Sequence, residues 1–189
     1  MSAGDAFGKR AVLKSEKMAT TEDYFNEWFR DVLRDLYRNR NAGFVIVITS
    51  LTLLERYLRE KSGAGQADAL PDPFFNEFVK LFPQIPDVPT ARMFCQVCRH
   101  GLMHQATFRV KTKKGQMMSA VGLDDSGPVL RYETDGTKYL FMMSPSKFSA
   151  AVITAIENDF PTFEGGSSPD HPLPEVWPYH SGRGSGPPS

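Results

Sequence analysis

The apolar residues of this 189-residue chain follow two periodicities, and the change between them is the strongest constraint on the fold. Up to about residue 105 they recur at helical spacing, which predicts amphipathic helices. Between residues 108 and 143 they alternate at every second position around turn residues, which predicts short strands. Helical spacing then returns. The sequence therefore predicts a mainly α-helical bundle with a small antiparallel β-hairpin or meander added, and an α+β fold is the alternative.

Capping and turn residues set the predicted limits of these elements. Thr21, followed by two acids, begins the first helix, and Ser144 with a proline after it begins the last one, which runs to about residue 160. The other helices are predicted over residues 42–61, 73–82 and 90–105. The strands are predicted over residues 108–112, 117–123, 129–132 and 139–143, with hairpin turns at 124–127 and 135–136.

Composition predicts one folded domain between two irregular ends. A chain of 189 residues with 41% hydrophobic content can build one good core. Residues 1–19 are predicted to be a flexible leader, 20–163 a single domain that includes the strand-rich insert 108–143, and 164–189 a disordered tail rich in Gly, Ser and Pro. The chain contains neither an apolar secretory signal nor an apolar run of the roughly 20 residues that a membrane span needs. We therefore expect a cytoplasmic protein with no membrane association.

The segment Arg99-His100-Gly101-Leu102-Met103-His104 places an arginine and two histidines within one stretch of the predicted helix 90–105. Arginine is a permanent cation whose planar fork fits phosphate oxygens. Histidine can both accept and donate a proton near neutral pH. Together they are a minimum set of side chains for metal-free cleavage of a phosphodiester. The alternative is a solvent-exposed helix face that carries them by chance.

A regular helix would put Arg99 and His104 roughly 140° apart on the polar face, with His100 between them. Both side chains could then reach one phosphate, or they could converge on it across a two-fold dimer axis.

Any binding of a polyanion needs a local basic patch, because the formal net charge of the chain is zero. Arg92 and Gln96 share the polar face of the helix with Arg99, and Arg109 and Lys111 share one face of the strand that follows. These four residues, Arg92, Gln96, Arg109 and Lys111, are the predicted substrate-binding set. For the strand pair, the alternative is an ordinary charged sheet edge that discourages aggregation.

Cys95 and Cys98 form a C-x-x-C pair on the same helix. On a regular helix their thiols point into the core while His100 and His104 point away, so a four-ligand zinc site would need a broken helix. We predict structural core cysteines, no metal and no cofactor. Metal binding and a redox role are the alternatives.

The motif resembles that of the HEPN (higher eukaryotes and prokaryotes nucleotide-binding) superfamily, helical domains in which an arginine is followed a few residues later by a histidine. In that motif the residue after the arginine is usually polar, and here it is His100. The predicted helix with Leu53-Leu54-Glu55-Arg56-Tyr57-Leu58 also looks like the long apolar helix of such bundles. The resemblance covers about residues 21–107 and 144–161, and the strands between them depart from a minimal bundle.

The resemblance implies a metal-independent endoribonuclease of the toxin or defence type, a homodimer whose motif-helix faces meet across a cleft. It implies that His104 transfers a proton, that Arg99 binds the phosphate and that His100 supports one or both. The RNA 2′-hydroxyl would attack the adjacent phosphate and leave a 2′,3′-cyclic phosphate and a 5′-hydroxyl. An antitoxin or regulatory protein is the further partner implied. The alternative is a non-catalytic helical domain that binds a nucleotide or a protein, with both motif residues buried in salt bridges or diverging into solvent.

Overall fold

A computed structural model describes residues 20–65, 69–103, 109–111, 117–135 and 138–165. Within these residues the chain is mainly helical with a small β-sheet, so the coarse fold class predicted from the sequence is confirmed. The predicted leader, residues 1–19, lies outside the described residues, and so does most of the predicted tail. Among the described helices, none combines the length and the hydropathy that a membrane-spanning helix requires.

Helix α1 consists of Thr21–Phe25, a π-helical turn Asn26–Arg30 and a final segment Asp31–Leu36. Its cap is Thr20, one residue before the predicted position. The Thr20 hydroxyl accepts a hydrogen bond from the Asp23 N–H at 3.2 Å, and the Asp23 carboxylate accepts one from the Thr20 N–H at 2.8 Å. This reciprocal pair satisfies two of the N–H groups that a helix start leaves unpaired.

Helix α2 (Gly43–Ser62) is the long helix predicted over residues 42–61. Its N-terminal half is rich in β-branched residues, yet it is helical because the apolar positions continue at helical spacing and are buried. The buried apolar residues of α2 are Ile46, Val47, Leu53, Leu54, Tyr57 and Leu58. The helix ends at Gly63, whose φ of 67° is left-handed and suits a residue without a Cβ.

The remaining helices surround α2. Helix α3 is Asp72–Leu81, and helix α4 is Val88–Gln96 followed directly by the π-helical segment Val97–Met103. Helix α5 is Pro145–Asn158 and the short α6 is Phe160–Glu164, so the fold continues one residue into the predicted tail. As predicted, Ser144 caps α5: its hydroxyl accepts the Lys147 N–H at 3.3 Å.

The sheet contains β1 (Arg109–Lys111), β2 (Met117–Leu123), β3 (Leu130–Thr134) and β4 (Tyr139–Met143). The strand order is β1-β2-β4-β3. Pairs β1–β2 and β3–β4 are antiparallel, whereas β2 and β4 are parallel, with Val121 opposite Phe141. The antiparallel meander predicted from the sequence is therefore wrong, because the sheet is mixed and β4 lies where β3 was expected.

The turn at residues 124–127 explains the difference. Its Asp125 carboxylate accepts hydrogen bonds from the Ser144 hydroxyl at 3.0 Å and from the N–H and hydroxyl of Ser146 at 3.1 and 2.9 Å. The turn is thus attached to the start of α5 and does not fold β3 back onto β2. The other predicted turn does join an antiparallel pair, β3 and β4.

Helices and sheet share one hydrophobic core. The Phe94 ring of α4 lies 5.3 Å from Phe78 of α3, 5.3 Å from Phe141 of β4 and 6.3 Å from Phe148 of α5, measured between ring centroids. The sheet residues Val121, Leu130, Phe141 and Met143 belong to the same buried cluster as the helices. The strand-rich insert is therefore part of the core.

Candidate functional site

Arg99 lies in the π-helical segment Val97–Met103, which directly continues α4. A π-helical turn closes its hydrogen bonds over five residues, so it directs side chains differently from a regular helix. The regular helix predicted over residues 90–105 is therefore not observed at Arg99, where the backbone is π-helical. π-Helical turns are uncommon in proteins, and many of those that are known lie at functional sites.

Arg99 contacts a carboxylate of the long helix α2. Its Nη2 lies 3.5 Å from Glu55 Oε1, and its side chain is 42% exposed. The same oxygen lies 3.0 Å from both Nε and Nη2 of Arg59, one helical turn further along α2. Two guanidinium groups thus share one carboxylate, and we refer to these three residues as the Arg59–Glu55–Arg99 cluster.

The two arginines of the cluster differ in burial. The Arg59 side chain is 6% exposed, and its Nη1 donates to the Gly65 carbonyl oxygen at 2.6 Å. Arg59 is therefore the fixed, internal partner of Glu55. Arg99 is the partner that reaches solvent. Glu55 is thus shared between a buried arginine and a partly exposed one.

A small cavity of about 30 Å³ adjoins the cluster between α2, α3 and α4. Glu55 and Arg99 line it together with apolar side chains, among them Leu54, Phe74 and Phe78. This volume can hold water but not a nucleobase. Its apolar lining is a medium of low dielectric constant, which strengthens the electrostatic field of the adjacent guanidinium group.

Cys95 and Cys98 line the same cavity and are not disulfide-bonded. Burial raises the pKa of Cys95 to about 12, with a further increase from the Glu55 carboxylate and an opposing decrease from Arg99. Burial also raises the pKa of Cys98 well above its ordinary value. Both side chains are protonated thiols at neutral pH, as core cysteines are, whereas a nucleophile or metal ligand must be a thiolate.

The other predicted site residues lie in three places. Arg92 forms an ion pair with Asp72 at the start of α3, and its guanidinium carbon lies 4.3 Å from the centroid of the Phe75 ring. Gln96 is exposed one turn later. Arg109 and Lys111 are at the two ends of β1. In the described structure Arg92 therefore contacts Asp72 and Phe75 of α3. Its predicted contact with RNA stays a prediction.

The histidines complete the predicted motif. His100 directly follows Arg99 in the π-helical segment, and His104 lies outside the described residues. Within the residues that the structure does describe, no group of three or more His, Cys, Asp or Glu side chains could hold a metal ion.

Glu55 and Arg59 were not predicted as site residues. Their spacing of four on a helix is a sequence signal for an ion pair with each other. Nothing local in the sequence connects them with Arg99, because that contact joins two helices.

Comparisons with protein-family models, curated proteins and solved structures find no match for this chain, so a functional assignment depends on these side chains and their geometry.

Proposed function

We propose that the chain is a metal-independent endoribonuclease of the HEPN type, which cleaves RNA by attack of a 2′-hydroxyl on the adjacent phosphate. The observation that supports this most is the arrangement of the Arg59–Glu55–Arg99 cluster. The buried Arg59 contacts Glu55 at 3.0 Å, whereas Arg99 contacts it at 3.5 Å and is 42% exposed, so Arg99 can reach a ligand. A phosphate group complements Arg99 in charge and in hydrogen-bond geometry.

In this proposal each motif residue has one role. Arg99 binds the phosphate and stabilises the negative charge that develops on its oxygens during the reaction. His104 transfers the proton between the 2′-hydroxyl and the leaving 5′-oxygen, and His100 supports Arg99, His104 or both. Because the histidines move the proton and the arginine balances the charge, the reaction requires no metal ion and no cofactor.

The proposal extends to the partners of the chain. RNA is the substrate, and Arg92, Gln96, Arg109 and Lys111 contact its backbone. The chain acts as a homodimer through the face of α4 and its π-helical extension, so that two motifs face one cleft. An antitoxin or another regulatory protein restrains this activity, as befits a toxin or defence enzyme in the cytoplasm.

The direct test is cleavage of a fluorescent single-stranded RNA in EDTA by the wild type and by the Arg99→Ala and His104→Ala variants. We expect the wild type to produce ends with a 2′,3′-cyclic phosphate and a 5′-hydroxyl, and both variants to lose this activity. Arg38→Ala, which removes an exposed arginine at the end of α1, is the matched control and retains activity. Cleavage that needs a metal ion and survives both substitutions contradicts the proposed site.

A non-catalytic domain that binds a nucleotide or a protein is the second candidate. The Arg99–Glu55 contact favours it, because an arginine with a partner inside the protein has a structural role without any substrate. In the same assay this candidate predicts a folded protein that cleaves none of a varied set of RNAs.

A further inference from the structure

We propose that Arg59 keeps Arg99 available for a phosphate group by holding the Glu55 carboxylate, so that Arg59 and Glu55 are positioning residues of the phosphate site. The inference rests on the part of the proposed function that assigns a phosphate to Arg99. It does not depend on whether RNA is cleaved.

The distances within the cluster show which of the two arginines contacts Glu55 more closely. Arg59 approaches Glu55 Oε1 with two nitrogens at 3.0 Å, within the normal range of a hydrogen bond. Arg99 approaches the same oxygen with one nitrogen at 3.5 Å, which is longer than a charge-assisted hydrogen bond. Glu55 is therefore bound mainly by Arg59, and its hold on Arg99 is loose. Arg99 is therefore paired with Glu55 less closely than Arg59 is.

The Arg59–Glu55 pair is also fixed in place. Both residues belong to α2, four positions apart, and Arg59 is anchored by the carbonyl oxygen of Gly65 just after the helix. Glu55 therefore stays with Arg59 when Arg99 turns towards a ligand. The ligand has to displace only the long contact of Arg99, which is a small cost for a partly exposed pair.

Removing the charge of Arg59 would make Arg99 the closer partner of the Glu55 carboxylate. The Glu55 side chain is 23% exposed and borders the apolar cavity, where a carboxylate without a counter-ion is unfavourable. Arg99 would then be its remaining cationic partner in the cluster. The Glu55–Arg99 pair would tighten, and the formal charge of the two residues would be zero. An arginine that does not touch the ligand thus controls the affinity of the arginine that does.

The test is binding of a fluorescein-labelled single-stranded DNA oligonucleotide, measured by fluorescence anisotropy with the full chain at low salt. DNA carries phosphates but no 2′-hydroxyl, so it reports binding without cleavage. We expect Arg99→Ala to lose most of the binding. From the strength of exposed ion pairs, Arg59→Gln should weaken binding and Glu55→Gln should strengthen it, each by roughly two- to fivefold.

The double variant Arg59→Gln with Glu55→Gln separates positioning from a structural role. If Arg59 acts by occupying Glu55, removing Glu55 as well restores binding to at least the wild-type level. If the pair only supports the fold, the double variant is the weakest binder of the set. The inference is overturned if the double variant binds DNA as weakly as Arg59→Gln does. It is also overturned if Arg59→Gln binds DNA with the affinity of the wild type.

Two controls keep the result interpretable. Glu27→Gln and Arg38→Gln make the same charge changes at exposed positions of the α1 region and should alter binding little. If Arg59→Gln fails to fold, as judged by circular dichroism, Glu55→Gln still decides, because its amide oxygen can accept from Arg59. Unchanged or weaker binding by folded Glu55→Gln overturns the inference, as does DNA binding that does not depend on Arg99.

The inference and the proposed ribonuclease fail in different ways. Binding that follows the expected order of variants, without RNA cleavage in EDTA, contradicts the ribonuclease and leaves the positioning roles intact. Arg99-dependent RNA cleavage with equal DNA binding by the wild type and the Arg59 and Glu55 variants contradicts the positioning roles alone.

Discussion

Asp125 accepts a hydrogen bond from the Ser144 hydroxyl, with 3.0 Å between the two oxygens, and so attaches the turn after β2 to the N-cap of α5. The two residues are 19 positions apart in the chain. The same carboxylate oxygen accepts the N–H and hydroxyl of Ser146. One side chain therefore joins the sheet to the start of a helix, which places the strand insert against the bundle.

Replacing Asp125 with Asn is expected to destabilise the protein at neutral pH by about 1 kcal/mol, because the amide oxygen lacks the charge that strengthens the hydrogen bonds from Ser144 and Ser146. Burial acts to raise the pKa of Asp125, but the hydrogen bonds from Ser146 and Ser144 outweigh it and hold the pKa below its ordinary value. Because the pKa of Asp125 is lower in the folded than in the unfolded state, its carboxylate stabilises the fold at a pH above the unfolded pKa of about 3.9. This stabilisation is lost as the pH falls through the folded pKa.

Urea unfolding of the wild type and Asp125→Asn at neutral and strongly acidic pH measures this effect. The difference in unfolding free energy should shrink on acidification. Asp35→Asn, at an exposed position of α1, is the control and should change stability little at either pH. A difference between wild type and Asp125→Asn that stays constant with pH would contradict the assigned contacts.

The Phe94 ring supports both the bundle and the sheet, so its removal should affect both together. Phe94→Ala leaves a cavity between Phe78, Phe141 and Phe148 and is expected to cost about 3–5 kcal/mol. We expect one cooperative unfolding transition in both far- and near-ultraviolet circular dichroism. Val45→Ala, at a 53% exposed position of α2, should cost much less. Two separate transitions would mean that the strands fold as their own unit.

Much of the fold could be predicted because its determinants are local. The helix predicted over 42–61 is observed as Gly43–Ser62, and Ser144 with the proline after it begins α5 as predicted. The strands Met117–Leu123 and Tyr139–Met143 have the predicted limits. In each case the signal is a periodicity or a cap that lies within the element itself.

The pairing of the strands and the surroundings of Arg99 could not be predicted, because they depend on contacts between distant segments. Residues 124–127 have hairpin composition, yet Asp125 binds the start of α5 and β2 pairs with β4. Likewise, Arg99 follows a regular helix in sequence, but the turn is π-helical and its carboxylate partner is on α2. Local periodicity contains no information about either partner.

Gly63 and Gly122 should differ in how much an alanine substitution changes the free energy of unfolding. Gly63 ends α2 with φ of 67°, a conformation that a Cβ disfavours by about 1 kcal/mol, so Gly63→Ala should lower the unfolding free energy by that amount although the space around it is open. A Cβ on Gly122 would lie 2.6 Å from Met142 Sδ, the mobile end of a flexible side chain. Met142 can move, and Gly122→Ala should change stability less than Gly63→Ala in urea unfolding. The reverse order would contradict this reading of both positions.

The two cysteines should be unreactive in the folded chain. With the pKa of Cys95 raised to about 12, its thiolate fraction at about pH 8 is lower by roughly a thousandfold than that of an ordinary thiol. The pKa of Cys98 is also raised by burial, which lowers its thiolate fraction as well. Iodoacetamide should therefore label neither residue natively, and both in guanidinium chloride, as measured by mass spectrometry. Glutathione in the same tube controls for reagent activity. Native labelling as fast as that of glutathione would revive a reactive or metal-binding role, because either requires the thiolate that burial disfavours here.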